Sequence, residues 1–319
     1  MNAYTKINVS TEKMSPIASR YERCVMASKR ISWKIDEDVI RDREFSNNEK
    51  FLPDKLSLVN ELEFLEPTDQ VFLSQIQGRT YANIFGLAER FVNAKVLEVC
   101  QKHLLGDQIA LEALVRFSDE ELKHQELFRR IEKMTGDVMP EGYSFNADPN
   151  EVAKVVLDKS TWAVLALTCH IELFTQQHYK QSIAVCDGLS PLYKDVFLFH
   201  WKEESQHAIL DEIEWREEDI KLSESDREQA VDELITLVGA IDGILQAQSV
   251  VDADYFMSCS NTSFTVSEQK QIKENLLKAY RWQYIGSGVQ HTKFVQILSE
   301  LTSESQMTKV VEALAPLMQ

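Results

Sequence analysis

Six side chains recur at a spacing that can do chemistry: Glu89, then Glu121 and His124, then Glu172, then Glu204 and His207. A lone glutamate followed by Glu-x-x-His, the whole repeated once, is the donor pattern with which a four-helix bundle holds two metal ions in its core. Residues three apart on a helix share a face, so each Glu-x-x-His brings an oxygen and a nitrogen to one point. The lone glutamates can then bridge or cap the pair. Four anionic carboxylates and two imidazoles suit Fe(II) or Mn(II), and Zn(II) less well, with iron preferred where oxygen chemistry is intended. His200 stands four residues before Glu204 and seven before His207, so it projects from the same stripe and offers a seventh donor. His170, two residues from Glu172, falls on the far side of its helix, and His103, His178 and His291 lie away from the level of the others. None of these four is assigned as a ligand.

Positioning such a set requires long helices, and the chain reads as all-α. Only 10 Gly and 7 Pro occur in 319 residues, mostly between segments of apolar periodicity. A helix is expected from Thr68 to about Leu105, stopping at Gly106, and another from Asp107 to about Thr135, stopping at Gly136. Asp148-Pro149-Asn150-Glu151 has the form of an N-cap with proline at the first helical position and a capping glutamate, opening a helix that runs to about Val185. Ser190-Pro191 opens a fourth, reaching roughly Asp219. Ser225-x-x-Glu228 and Thr265-x-x-Glu268 look like capping boxes for two further helices, with a final pair after Gly288 and Ser303. The expected organisation is a single domain over 1–319: an N-terminal arm over 1–55 with one short helix, a di-metal core over 56–222, and C-terminal helices over 223–319 packing on that core.

The helix counts also place the donors at one height. Glu89 lies 17 residues before Gly106 and Glu121 lies 15 after it, while Glu172 is 15 before Asp187 and Glu204 is 17 after it. At a rise of about 1.5 Å per residue, each hairpin brings its two carboxylates within roughly one turn of each other. Core-type neighbours such as Phe85, Phe91, Leu173, Phe174, Phe197 and Phe199 would make unliganded carboxylates costly there. Outside the ligand set, Glu120 and Glu203 each precede a ligand glutamate and point to a neighbouring helix. Metal-bound imidazoles donate their second N–H to such groups, so Glu120 is expected to support His207, and Glu203 to support His124.

Composition narrows the function classes. A hydrophobic content of 44% allows a substantial core, and a net charge of -17 disfavours nucleic acid and anionic membrane as partners. The opening segment has no apolar core of a signal peptide, and no uninterrupted apolar run approaches the length of a spanning helix, so a cytoplasmic protein without membrane association is expected. The five cysteines, Cys24, Cys100, Cys169, Cys186 and Cys259, are scattered and contain no Cys-x-x-Cys, which points to reduced thiols rather than disulfides or a thiolate zinc site.

The order Glu, Glu-x-x-His, Glu, His-x-x-x-Glu-x-x-His over about residues 80–210 resembles the non-haem di-iron N-oxygenases of the p-aminobenzoate N-oxygenase type. The extra histidine, which generic di-iron carboxylate proteins lack, is the most specific element of that likeness. The resemblance implies a ferritin-like core in which Glu89, Glu121, His124, Glu172, His200, Glu204 and His207 ligate two iron ions, with His200 on one of them. It implies O2 as co-substrate, a peroxo-diferric species, and oxidation of an amine to hydroxylamine and on to nitroso or nitro products. Electrons would come from an external donor such as a redox partner protein, because nothing in the chain suggests a flavin or nicotinamide site. A homodimer is implied on the same ground. Tyr81 and Phe85 are candidates to line the substrate pocket, and Arg281 to counter a substrate carboxylate. Three alternatives stay open: a di-iron C-hydroxylase or desaturase using the same carboxylates, a dimetal hydrolase working without O2, and an iron-handling or structural bundle.

Overall fold

The structure, a computed structural model, describes residues 16–318. It is all-α, with no strand among the described residues; the helices are α1 (Pro16–Arg30), α2 (Asp54–Ser57), α3 (Pro67–Cys100), α4 (Gln108–Val138), α5 (Pro149–Leu157), α6 (Thr161–His178), α7 (Pro191–Asp219), α8 (Glu224–Cys259), α9 (Val266–Arg281), α10 (Ser287–Val289), α11 (Thr292–Leu301) and α12 (Glu304–Leu314). Two hairpins dominate: α3 packs along α4, and α6 along α7. They meet through α4 against α7 and α3 against α6, while α8 and α9 form a further packed pair alongside. Of the arm expected over 1–55, residues 1–15 lie outside the described part; the rest includes α1, which lays Tyr21, Cys24 and Val25 against α4 and α7.

Local signals account for most helix boundaries. Pro67 and Pro191 occupy first helical positions, where the missing N–H costs nothing. The carboxylate of Asp107 accepts from the backbone N–H groups of Ile109 at 2.9 Å and Ala110 at 3.1 Å, so it opens α4. The expected stop at Gly136 does not occur, because α4 continues to Val138, just ahead of Met139-Pro140. Gly136 serves close approach instead: a Cβ there would sit 2.9 Å from an Arg79 guanidinium nitrogen.

Two further expectations are corrected. The single helix from Asp148 to about Val185 is in fact α5 and α6, separated at Asp158–Ser160 and followed by a π-helical turn over Tyr179–Ile183. The break is set by tertiary bonds: Glu233 of α8 accepts from the Ser160 backbone N–H at 2.8 Å, and Ser160 becomes the cap of α6. The capping box that opens α8 is Ser223 with Asp226, rather than Ser225 with Glu228. Thr265 with Glu268 does form the box that opens α9, and Ser303 with Gln306 opens α12.

By length and composition alone α8 could cross a membrane, and a third of its apolar window is buried in the protein. It nevertheless carries buried Asp242, Gln248 and Asp252 facing its neighbours. All five cysteines are free.

Apolar side chains gather in two clusters. One contains Phe117, Trp162 and Trp215, the other Phe85, Phe128 and Phe197. Between them lies a patch of buried carboxylates and imidazoles.

Candidate metal centre

Glu89 comes from α3, Glu121 and His124 from α4, Glu172 from α6, and His200, Glu204 and His207 from α7. All seven are buried, none more than 5% exposed. The donor atoms of six of them fall into two overlapping groups able to hold a metal ion, Glu121, His124, Glu204 and His207 in one, Glu89, His124 and His200 in the other, and Glu172 stands outside both. Within each group the donors lie within 4.8 Å of one another.

The Glu-x-x-His carboxylates take the middle. Oε1 of Glu204 lies 3.5 Å from His124 Nδ1, 3.2 Å from His200 Nε2 and 3.4 Å from His207 Nδ1. Oε1 of Glu121 lies 3.0 Å from His207 Nδ1 and 3.6 Å from His124 Nδ1. The lone glutamates stand at the flanks: Glu89 reaches His200 Nε2 at 3.0 Å and His124 Nδ1 at 3.7 Å, and Glu172 lies 3.9 Å from His207 Nδ1. Each flank thus pairs one imidazole group with one outer carboxylate, and the two flanks share the central pair.

The outward nitrogens of two imidazoles are already occupied. His124 Nε2 lies 3.0 Å from Glu203, and His207 Nε2 lies 2.8 Å from Glu120. A ring N–H donated outward leaves the bare Nδ1 lone pair facing the cluster, which is the tautomer a metal ligand needs. Both acids are themselves held: Lys123 donates to Glu203 at 2.6 Å, while Ser28 and Gln206 donate to Glu120 at 2.6 and 2.9 Å. Trp33 stacks over His124 at 6.2 Å between ring centroids, and Phe117 over His207 at 3.9 Å. Sequence spacing did not point to Ser28, Trp33, Lys123, Gln206 or Phe117. Lys123 and Gln206 adjoin His124 and His207 in sequence, but Ser28 and Trp33 arrive from the N-terminal arm, where no spacing rule reaches.

The inward atoms tell the complementary story. Both carboxylate oxygens of Glu121, one each of Glu172 and Glu204, and Nδ1 of His124 and His207 are buried without a hydrogen-bond partner. Buried polar atoms are seldom left so, and here several converge on one spot. Charge gives the same answer, since the carboxylates of Glu89, Glu121, Glu172 and Glu204 sum to four negative charges, which two divalent cations would balance. Without a cation, the protein compensates with protons. Burial opposes charge on His124, but the hydrogen bond to Glu203 and the nearby negative charges of Glu89 and Glu204 outweigh it and raise its pKa to about 9. Burial and the negative charge of Glu204 push Glu172 well above the ordinary carboxylate range. A buried, anionic, oxygen- and imidazole-rich set of this kind could hold a hard or borderline divalent metal.

The pocket candidates separate. Phe85 lies edge-on to His200 at 5.6 Å and also lines an apolar cavity. Tyr81 is fully buried and its hydroxyl lies 2.7 Å from His178 Nδ1. Arg281 is not brought to the cluster; it makes two hydrogen bonds to Asp242, at 2.7 and 3.0 Å, and borders a separate, more polar cavity. The unassigned histidines have other partners: His170 faces the Ile285 carbonyl, His178 lies between Tyr81 and Ser287, and His103 lies against Glu214.

Among known proteins, no family model and no curated sequence matches this chain.

Proposed function

We propose that the chain is an O2-dependent two-iron oxygenase of ferritin-like architecture that oxidises an amine nitrogen. The observation that carries this reading is the convergence of unpartnered carboxylate oxygens and Nδ1 atoms from α4, α6 and α7, with Glu89 of α3 at the flank and the outward nitrogens of His124 and His207 tied to Glu203 and Glu120. Iron held by Glu89, Glu121, His124, Glu172, His200, Glu204 and His207 would supply O2 activation, and manganese would fit the same donors. In the net reaction, one oxygen atom enters an N–H bond to give a hydroxylamine and the other leaves as water. Two electrons and two protons come from an external donor. The choice of nitrogen as the target rests on the resemblance carried by His200.

The protein's own contribution is orientation and exclusion of water. Glu203 and Glu120 fix ring tautomer and direction, and α1, Trp33 and Phe117 seal the imidazole side. A second reading, hydroxylation or desaturation at carbon, is favoured by the hydrocarbon walls of the cavity bordered by Phe85 and Phe174.

The test is metal analysis of the purified chain, then anaerobic Fe(II) loading and single turnover with ¹⁸O2 on a panel of amines and matched hydrocarbons, with products read by mass spectrometry. Two irons per chain and label on nitrogen support the proposal. Label on carbon moves it to the second reading. Fewer than two metals per chain, or turnover without O2 as a dimetal hydrolase would show, overturns it.

A further inference from the structure

A cavity of about 70 Å3 adjoins the ligand helices on their α3 and α6 side. Its walls include Phe85 and Ala88 of α3, Ile171 and Phe174 of α6, and Ile241 and Ile244 of α8. The α3 and α6 residues lie next to Glu89 and Glu172 in sequence, and the Phe85 ring stands between the cavity and His200, 5.6 Å from that imidazole. The opposite face of the cluster is closed by Glu203, Glu120, Trp33 and Phe117. A small molecule approaching the metal donors therefore comes from the α3 and α6 side.

No side chain lining this cavity is charged, and the only hydroxyl among them belongs to Tyr284. Beyond Leu167, Ile241 and Tyr284, which line both spaces, lies a second cavity of about 220 Å3 bounded by α6, α8, α11 and α12. Its walls are again hydrocarbon and aromatic, His170 excepted, and His170 is kept neutral by burial, which lowers its pKa to about 4. Tyr284 sits in the π-helical turn Trp282–Gly286, a distortion often found at binding sites. The cavity with ionic groups, bordered by Lys55, Glu61, Lys278 and Arg281, is a different one.

We infer that the cavity between α3, α6 and α8 binds the body of an uncharged, largely hydrocarbon substrate, with the second cavity taking the far end of a longer one. A carboxylate or ammonium group would enter without a counter-charge and would be refused, because desolvating an unpaired ion outweighs what the chain contacts return. The word substrate rests on the proposed oxygenase; the binding selectivity does not. It narrows that reading to molecules whose nitrogen or carbon target is presented uncharged and without an accompanying carboxylate.

Binding is measured on the full-length protein as purified, without added iron, oxygen or reductant, so failed turnover and failed binding are separate results. The probe is N-phenyl-1-naphthylamine, whose fluorescence rises in apolar surroundings, and the competitors are decanol, decanoate and decylammonium, which share a chain and differ in head-group charge. Saturable uptake is expected, with decanol displacing the probe at a concentration at least tenfold lower than either ion. Ile244→Trp, which fills the first cavity from α8, should cut uptake at least tenfold with helical content unchanged, and Ile244→Phe serves if the larger ring prevents folding. Val238→Trp, which intrudes only on the second cavity, should leave hexanol competition intact while weakening decanol. Absence of saturable uptake by the folded protein, ions competing within threefold of decanol, or full uptake by folded Ile244→Trp overturns the inference.

Discussion

His124 faces two ways: its Nε2 lies 3.0 Å from Glu203, and its Nδ1 looks inward to Glu89, Glu121 and Glu204. The outer acid is anchored by Lys123 at 2.6 Å, so the ring is aimed before any metal arrives. Removing such a partner typically weakens metal binding 10- to 100-fold. Glu203→Gln should therefore lower metal affinity by about one order of magnitude, because the amide can still present a carbonyl oxygen to Nε2. Glu203→Leu should lower it by about two. Calorimetric titration with Mn(II), which needs no oxygen control, reads both; equal affinity in Leu and wild type would show that Glu203 does not orient the ring.

The crowded carboxylates predict opposite effects of one substitution with and without metal. Glu172 is pushed toward its neutral form by burial and by the charge of Glu204, so in metal-free protein Glu172→Gln removes an unfavourable group and should be neutral or stabilising by up to ~1 kcal/mol. With metal at a hundredfold excess over Kd, wild type should gain about 2.7 kcal/mol. That corresponds to roughly 5 °C in Tm at about 2 °C per kcal/mol. The variant should lose most of that gain. Thermal melts with chelator and with Mn(II) check both signs, and a variant that melts well below wild type in chelator contradicts the electrostatic account.

That these side chains come together was legible in the sequence for a physical reason, and the misplaced elements have one too. Helix period alone fixes which residues share a face, so the spacing of Glu121 and His124, and of His200, Glu204 and His207, could be read without knowing any neighbour. Central and flanking roles could not, since Glu204 becomes the hub only through its distances to histidines on two helices. The break before α6 depends on Glu233 of α8 catching the Ser160 N–H across 73 residues, a contact with no local trace. Gly136 looked like a helix stop but is small because Arg79 passes over it. Arg281 was expected to counter a substrate carboxylate, yet Asp242 on α8 already holds it.

Gly136 and Gly288 should respond differently to alanine. Both are helical, where glycine costs about 1 kcal/mol relative to alanine. At Gly136 the new Cβ meets only the tip of Arg79, at 2.9 Å, which can swing aside while keeping Glu132 within reach. At Gly288 it would lie 2.2 Å from His170 Nε2, a buried ring bonded to the Ile285 carbonyl at 3.2 Å. Gly136→Ala should be neutral or stabilising by up to ~1 kcal/mol, and Gly288→Ala destabilising by about 1–3 kcal/mol through overpacking. Urea midpoints compared at constant m-value decide it, and the two variants moving together would refute the distinction.

His178 should give the protein an acid-sensitive step separate from its carboxylates. Burial, with a smaller contribution from nearby His170, lowers its pKa to about 3, so the folded ring stays neutral, with Tyr81 at 2.7 Å on Nδ1 and Ser287 at 2.8 Å on Nε2. Tyr81 donates to Nδ1 and Nε2–H donates to Ser287, an arrangement that a second ring proton would break. The unfolded ring titrates near 6.5. Between about 6.5 and about 3 the unfolded chain therefore binds a proton that the folded chain refuses, and stability falls with falling pH by up to ~1.4 kcal/mol per unit. His178→Gln keeps a polar side chain there but cannot titrate. It should be less stable at pH 7 and yet show a shallower decline from pH 6.5 to pH 4, by about one proton in the slope of unfolding free energy against pH. Parallel slopes for variant and wild type in urea titrations over that interval would mean that His178 takes up its proton without unfolding.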